Sequence, residues 1–275
     1  MTIDAWLQAN TSQLKQAGIE TSRLDCLVLL SDEIEKDKSW ILAHPEYELQ
    51  IEKTELLNTK IAQRARHTPL AYIRGKSEFY GRDFVVNTDV LVPRPESEDV
   101  IELLKQIADY EQSPIIYDVG TGSGALAITA KLELPNSIVF ALDIDPACLR
   151  VAQKNAEHFH SHVTFLLGDL LEPFRELKTN SQKLIVLANL PYVPLGYHIN
   201  LAATHEPEIA LYSGKDGLDH YRRLFTELFS LPILPEYIIT ESLPAQHLAL
   251  TEIADEGTFL LQATSGFAQC FIRHI

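Results

Sequence analysis

The run Ile115-Ile116-Tyr117-Asp118-Val119-Gly120-Thr121-Gly122-Ser123-Gly124 constrains this chain more than any other stretch. A short β-rich apolar segment meets closely spaced glycines, and the apolar helical stretch Ala125 to Leu132 follows. The pattern reads as strand, tight loop and helix. Glycine lets such a loop turn sharply and brings its backbone against a ligand at the helix N-terminus. A glycine cluster alone also fits an ordinary tight turn, but two later features favour a ligand. Val139-Phe140-Ala141-Leu142-Asp143 is a second apolar run ending in an acid, at the distance expected for gripping a ribose diol. A further run, Leu184 to Ala188, ends in Asn189-Leu190-Pro191-Tyr192, which puts a polar group at a strand end. Loop, acid and Asn-x-Pro-Tyr together point to a nucleoside cofactor with a methyl-transfer site beside it.

From residue 113 onward strands and helices alternate. The expected strands are Ile115 to Asp118, Ile138 to Asp143, Val163 to Leu167, Leu184 to Ala188, Tyr237 to Glu241, Phe259 to Thr264 and Phe267 to Ile272. Helical intervals such as Cys148 to His158 make the sheet mostly parallel and covered on both faces. Only Ser265 and Gly266 separate the last two runs, too few for a crossover helix, so the final strand should return antiparallel. That ending favours an S-adenosylmethionine-dependent methyltransferase sheet over a dinucleotide oxidoreductase.

The N-terminal segment is helical in pattern. Ile3, Trp6, Leu7 and Leu14 share one face, and Thr21 or Ser22 caps a second helix whose Leu24, Leu27, Val28 and Leu30 point inward. Asp37 to His44 reads as a short helix, and Glu46 to Arg66 as a longer one with Leu49, Ile51, Leu56, Leu57 and Ile61 apolar. This bundle carries no chemical constellation, so it suits partner recognition or a lid. Phe79 to Val86, with Val90-Leu91-Val92 after it, reads as a small hairpin. Pro93-Arg94-Pro95-Glu96-Ser97-Glu98 then opens a helix over Asp99 to Ala108, with Arg94 either part of a linker or orienting an acidic group near the cofactor. The expected organisation is a helical substrate-recognition domain over 1–75, a hairpin linker over 76–92 and a catalytic domain over 93–275.

Composition narrows the class. A formal charge of −15 over 275 residues disfavours broad phosphate neutralisation, and no stable nucleic-acid binding is expected. Cys26, Cys148 and Cys270 are isolated and read as free thiols in a reducing compartment. The first residues lack the pattern of a signal peptide, and no uncharged apolar stretch reaches membrane-spanning length, so a cytoplasmic protein away from membranes is expected. His158, His160 and His162 have no cysteine near them in sequence to complete a metal site, and no metal is expected.

Several motifs carry a resemblance that spans essentially the whole chain. They are Thr68-Pro69-Leu70-Ala71-Tyr72-Ile73-Arg74-Gly75, Glu78-Phe79-Tyr80-Gly81, Val90 to Glu98, the glycine loop, Asp143, Asn189 to Tyr192, Glu206-Pro207 with Ala210-Leu211, and Gly214-Lys215-Asp216-Gly217-Leu218. On these the sequence resembles the HemK/PrmC family, protein-(glutamine-N5) methyltransferases of peptide chain release factors, which act in translation termination. The Pro-Arg-Pro-acid segment is its most specific element. The resemblance implies an α/β fold, a small helical domain followed by a seven-stranded Rossmann-like sheet. It also implies S-adenosyl-L-methionine as donor and the glutamine of a Gly-Gly-Gln motif as acceptor. Asp118, Gly120, Thr121, Gly122, Ser123, Gly124, Asp143, Asp169, Leu170 and Asn189 would then bind the cofactor. Asn189, Pro191 and Tyr192 would be catalytic, with Leu190 and Arg94 also at the substrate.

Three departures stand out. Leu190 replaces the family's usual proline, Leu170 stands where a tryptophan often follows the acid, and Glu241-Ser242-Leu243 lacks a common glycine. Leu-containing motifs occur in ribosomal-RNA adenine methyltransferases, so these four residues alone leave adenine N6 open as acceptor. A ribosomal-protein glutamine methyltransferase and a non-enzymatic S-adenosylmethionine-binding scaffold also fit the motifs. Pro95 after Arg94 favours the release-factor branch.

Overall fold

A computed structural model describes residues 1–108, 113–176 and 183–274. The chain divides into two compact units, Met1–Lys76 with Ile199–His205, and Ser77–His198 with Glu206–Ile275.

The first unit holds α1 (Ile3–Gln16), α2 (Ser22–Ile34), α3 (Lys38–Ala43), α4 (Ile51–Arg64) and α5 (Leu70–Arg74). Caps set the starts of α1 and α3: Thr2 Oγ1 accepts from the Ala5 N–H, and Asp37 from the Trp40 N–H at 2.7 Å. Trp6, Leu14, Leu30, Leu57 and Ile61 are fully buried between the helices, each worth about 2 kcal/mol of apolar burial. Two expectations need correction. On α2 it is Cys26 and Leu29 that join Leu27 and Leu30 in the core, while Leu24 is exposed. The longer helix starts at Ile51 and not at Glu46, because Glu48 bridges to Thr2 and the Leu49 N–H donates to the Met1 carbonyl, which keeps that segment extended. Ile51 and Leu56 accordingly face outward.

The second unit opens with the hairpin β1 (Lys76–Phe79) and β2 (Arg82–Val85), joined by a two-residue turn with Tyr80 and Gly81 at φ of +52° and +70°. Val90-Leu91-Val92 forms no strand, since the Val92 N–H donates to the Glu206 carboxylate at 3.0 Å. Then come α6 (Glu98–Ile107), β3 (Ile115–Val119), α7 (Ala125–Glu133), β4 (Ile138–Asp143), α8 (Pro146–His158), β5 (Val163–Leu167) and β6 (Leu184–Ala188). They are followed by α9 (Asp219–Leu228), β7 (Tyr237–Glu241), α10 (His247–Glu256), β8 (Phe259–Ser265) and β9 (Ala268–Arg273). Among the described residues the large sheet has seven strands in the order β5-β4-β3-β6-β7-β9-β8. All pairs from β5 to β7 are parallel, and β9 runs antiparallel between β7 and β8.

Every residue of β3 is buried because helices cover both faces. Ile116 packs into the core that includes Val100 and Ile128, whereas Ile115, Tyr117 and Val119 pack with Tyr221, Leu224 and Leu250 on the other face. Strand order reverses at β3, whose neighbours are β4 on one side and β6 on the other. Such a switch point opens a crevice at the carboxyl ends of the strands, where the glycine loop and Asn189 both sit.

Candidate active site

The glycine loop leaves β3 with Gly120, Gly122 and Gly124 at φ of +76°, +54° and +81°, a region that side chains with a Cβ rarely enter. A Cβ on Gly124 would come within 3.1 Å of Ala152 on α8, so this glycine also sets the helix packing. Asn155 of α8, fully buried, accepts from the Val85 N–H and donates to the Val85 and Ser123 carbonyls, pinning the hairpin and the loop to one helix. The Asp143 carboxylate at the end of β4 accepts from the Gly122 N–H at 2.9 Å and the Asp145 N–H at 3.0 Å. Burial raises its pKa above the usual carboxylate range, and these bonds oppose the shift.

A cavity opens at these strand ends. Val119, Gly120, Gly122, Asp143, Asp169, Leu170, Asn189, Leu190 and Pro191 line it. Asp89, Leu91, Pro207, Ile209, His220 and Arg223 complete much of the remainder, and sequence reasoning gave none of them a role. Asp118, Thr121, Ser123, Gly124 and Tyr192 are not in its lining. Asp118 is buried and accepts from Thr121 Oγ1 at 2.6 Å, which makes it a brace for the loop; burial pushes its carboxyl up to about 7. Asp169 pairs with Arg223 of α9 at 2.7 Å, and Leu170 beside it holds a left-handed φ of +45°. Arg94 pairs with Glu206 at 2.6 Å, while Glu206 is almost wholly buried.

The donor set suits S-adenosyl-L-methionine. Asp143 offers carboxylate oxygens to a diol, Leu142, Ile144, Leu170 and Leu190 offer apolar surface to a purine, and the glycines at 120 and 122 let backbone approach closely. Among the described residues no three His, Cys, Asp or Glu side chains are grouped to hold a metal ion.

Behind Asn189 lies a buried polar network. Asn189 Nδ2 donates to Ser97 Oγ at 2.9 Å and to Glu241 Oε2 at 3.0 Å. The Tyr192 hydroxyl donates to Glu241 Oε1 at 2.8 Å, and the Ser97 hydroxyl also bonds the Glu241 carboxylate. Glu241 has no solvent exposure, and burial raises its pKa while these donors hold it down. The backbone of Tyr192 is fixed as well, since its carbonyl accepts from Gln246 Nε2 at 2.8 Å. Gly217 packs so close that a Cβ there would lie 2.1 Å from that same carbonyl oxygen. Tyr221 spans the ends of β6 and β7, its hydroxyl bonded to the carbonyls of Ala188 and Glu241.

Two of the departures from the family pattern now have a physical setting. The Leu190 N–H, which proline would lack, bonds the Tyr221 hydroxyl, and its side chain packs on Gly120, 3.2 Å from where a Cβ there would stand. Leu243 is extended with φ of −61°, a conformation that needs no glycine.

Comparisons with known proteins agree with this architecture. Residues 5–75 match the PrmC N-terminal domain, and residues 98–196 match ribosomal protein L11 methyltransferase (PrmA). The release factor glutamine methyltransferase of Bacillus subtilis is 36% identical over 82% of this chain and 80% of its own length. That of Geobacter sulfurreducens is 30% identical over 98% of this chain and 91% of its own. Among solved structures, the hMettl16 catalytic domain in complex with a 3′UTR hairpin superimposes with a TM-score of 0.56 at 12% identity, covering 84% of each chain, which is a likeness of fold. On identities of 30–36% over 82–98% of its length, the chain belongs to the HemK/PrmC family of release factor glutamine methyltransferases.

Proposed function

We propose that this protein transfers a methyl group from S-adenosyl-L-methionine to the side-chain amide nitrogen of the glutamine in the Gly-Gly-Gln motif of peptide chain release factors. The observation that carries the reading is the orientation of Asn189. Its Nδ2 is used inside the protein, and among the described residues no donor engages its Oδ1. That leaves an acceptor for a substrate NH2 at the edge of the cofactor cavity.

The bound cofactor supplies an electrophilic methyl on a sulfonium. In this reading Gly120, Gly122 and Asp143 bind its methionine and ribose parts, with Asp118, Thr121, Ser123 and Gly124 shaping the loop. Asp169 and Leu170 serve the adenine. Asn189 Oδ1 accepts one hydrogen of the substrate carboxamide, and the Leu190 or Pro191 carbonyl accepts the other. Two acceptors placed this way oppose conjugation of the amide and turn the nitrogen lone pair toward the methyl. Tyr192 packs on the planar group, its ring held through the hydroxyl bond to Glu241. Methylation makes the nitrogen acidic, so its proton leaves without a dedicated base. Arg94 acts on the substrate through the Glu206 segment that it anchors.

Residues 1–75 contribute recognition of the release factor, since they carry a packed bundle and no group-transfer constellation. The reaction belongs in the cytoplasm, where release factors work; among the described residues no helix is long and apolar enough to cross a membrane. Mass mapping after incubation with release factor, ribosomal protein and nucleic acid tests the acceptor. Methyl on the Gly-Gly-Gln glutamine is expected, and methyl on adenine or on ribosomal protein alone would overturn the assignment. A chain beginning at Ser77 that binds cofactor and modifies intact release factor at the full rate would remove the recognition role.

A further inference from the structure

Glu241 is a carboxylate with no solvent exposure and, among the described residues, no ion-pair partner. A buried charge of this kind is costly unless several donors converge on it. Here Ser97, Asn189 and Tyr192 do so, from three separate parts of the chain. We infer that Glu241 is a positioning residue for methyl transfer: it fixes which end of the Asn189 amide faces the substrate and holds the Tyr192 ring in place.

Hydrogen-bond parity decides the orientation. The three donors that converge on Glu241 leave its carboxylate oxygens to accept, and the Asn189 atom 3.0 Å from Oε2 is the nitrogen. A rotated amide would set Oδ1 against a carboxylate oxygen and leave two acceptors in contact. Ser97 does not decide the matter alone, because a hydroxyl can donate or accept. Its own proton is engaged by Glu241, which turns its lone pairs toward Asn189 Nδ2 at 2.9 Å. Glu241 therefore orients Asn189 directly and again through Ser97. With the nitrogen held inward, Oδ1 is the end presented to the acceptor amide. Tyr192 shares the other carboxylate oxygen, so one buried group sets both side chains of the Asn-x-Pro-Tyr segment. The strand ends that carry Asn189 and Glu241 are held in register by the Tyr221 hydroxyl between them.

This inference rests on the glutamine-transfer reading, and the wild-type control tests that reading separately through the position of the label. The experiment compares wild type, Glu241→Leu, Asn189→Ala and the double variant in single-turnover methylation of a release factor, with cofactor affinity and thermal midpoint measured on each. Leucine removes both acceptors at similar volume and leaves the Asn189 amide without a preferred orientation. The expected result for Glu241→Leu is a transfer rate at least about tenfold lower, as loss of a charge-assisted bond implies, with cofactor affinity and KM for the release factor little changed. The double variant should lose less than the two single losses combined, because both changes remove the orientation of Asn189 and only Glu241→Leu also frees the Tyr192 ring. Additive losses in the double variant would overturn the inference, as would a wild-type rate in Glu241→Leu. Cofactor affinity falling in step with the rate would overturn it as well, since that marks a merely structural role. Should leucine prevent folding, Glu241→Gln is read by the same cycle, with a smaller loss because one acceptor remains. Tyr192→Phe separates the two arms: if it reproduces the whole loss, the Asn189 arm is wrong.

Discussion

Replacing Asp143 by asparagine gives a sharp test of the cofactor site. In the free protein the two carboxylate oxygens are each committed to a backbone donor, Oδ2 to Gly122 and Oδ1 to Asp145. An amide presents one oxygen and one NH2, so either orientation sets a donor against one of those N–H groups. The glycine loop then loses a charge-assisted bond of about 1.5–3 kcal/mol, and the cofactor diol loses an acceptor worth about 1 kcal/mol. Removing a buried charge offsets part of this in the unliganded protein, because burial disfavours the ionised form. The thermal midpoint should therefore move little, while affinity falls by about 1 kcal/mol from the lost diol acceptor, roughly fivefold in Kd. Calorimetric titration with S-adenosyl-L-methionine reads the affinity, and circular dichroism confirms the fold. A folded Asp143→Asn protein within twofold of the wild-type Kd would refute the reasoning.

Three further outcomes follow from the geometry. Gly217→Ala forces a Cβ against the Tyr192 carbonyl at a φ of +83°, so it should slow transfer and cost more than the roughly 1–2 kcal/mol of left-handed backbone alone. Gly196→Ala, at φ of +82° with open space around it, isolates that backbone cost, and equal denaturation midpoints for the two variants would refute the steric claim. Arg94→Ala leaves the buried Glu206 carboxylate, among the described residues, with only the Val92 N–H and should lose about 1–3 kcal/mol, discounted because Arg94 is one-third exposed. Adding Glu206→Gln to Arg94→Ala should restore part of that stability in urea melts; a double variant no more stable than the single one would count against the pairing. Asp118 titrates near pH 7 when folded and near 4 when unfolded, so its protonated form stabilises the fold fully below about pH 4 and ceases to do so as pH rises through about 7. The stability of wild type relative to Asp118→Asn should fall by up to about 1.4 kcal/mol per pH unit across that window and level off above it; a flat difference would sink the claim.

Much of the catalytic sheet is legible in sequence because a two-faced core demands uninterrupted apolar runs such as Leu184–Ala188, and these stand out from their surroundings. The two-residue link at Ser265-Gly266 likewise dictates an antiparallel return. It does not say that β9 inserts beside β7, which depends on the edge that β7 offers. Helix faces are harder to read: α2 has apolar residues around most of its circumference, so Leu24 and Cys26 exchange places with no break in the pattern. At the site, Gly120, Asp143 and Asn189 are readable because each ends an apolar run. Glu241 ends one too, after Tyr237 to Thr240, and carries the same signal. Gln246 and Arg223 carry none, and Ser97 lies within the Val90 to Glu98 motif with nothing to mark its own contact. Their roles arise from approaches across large sequence separations, and a buried serine or glutamine looks locally like any capping or surface residue.

The segment Ile199–His205 belongs to the helical unit although it is encoded after β6, and His205 Nε2 lies 3.0 Å from the Arg66 carbonyl. During synthesis the helices from α1 to α5 leave the ribosome long before this piece exists. Translation proceeds vectorially, so the helical unit lacks one of its own parts while α6 to β6 are made. The apolar core of the bundle, from Ile3 to Ile73, can close at once, and it is the Arg66 carbonyl that waits in solvent for a late stretch of the message.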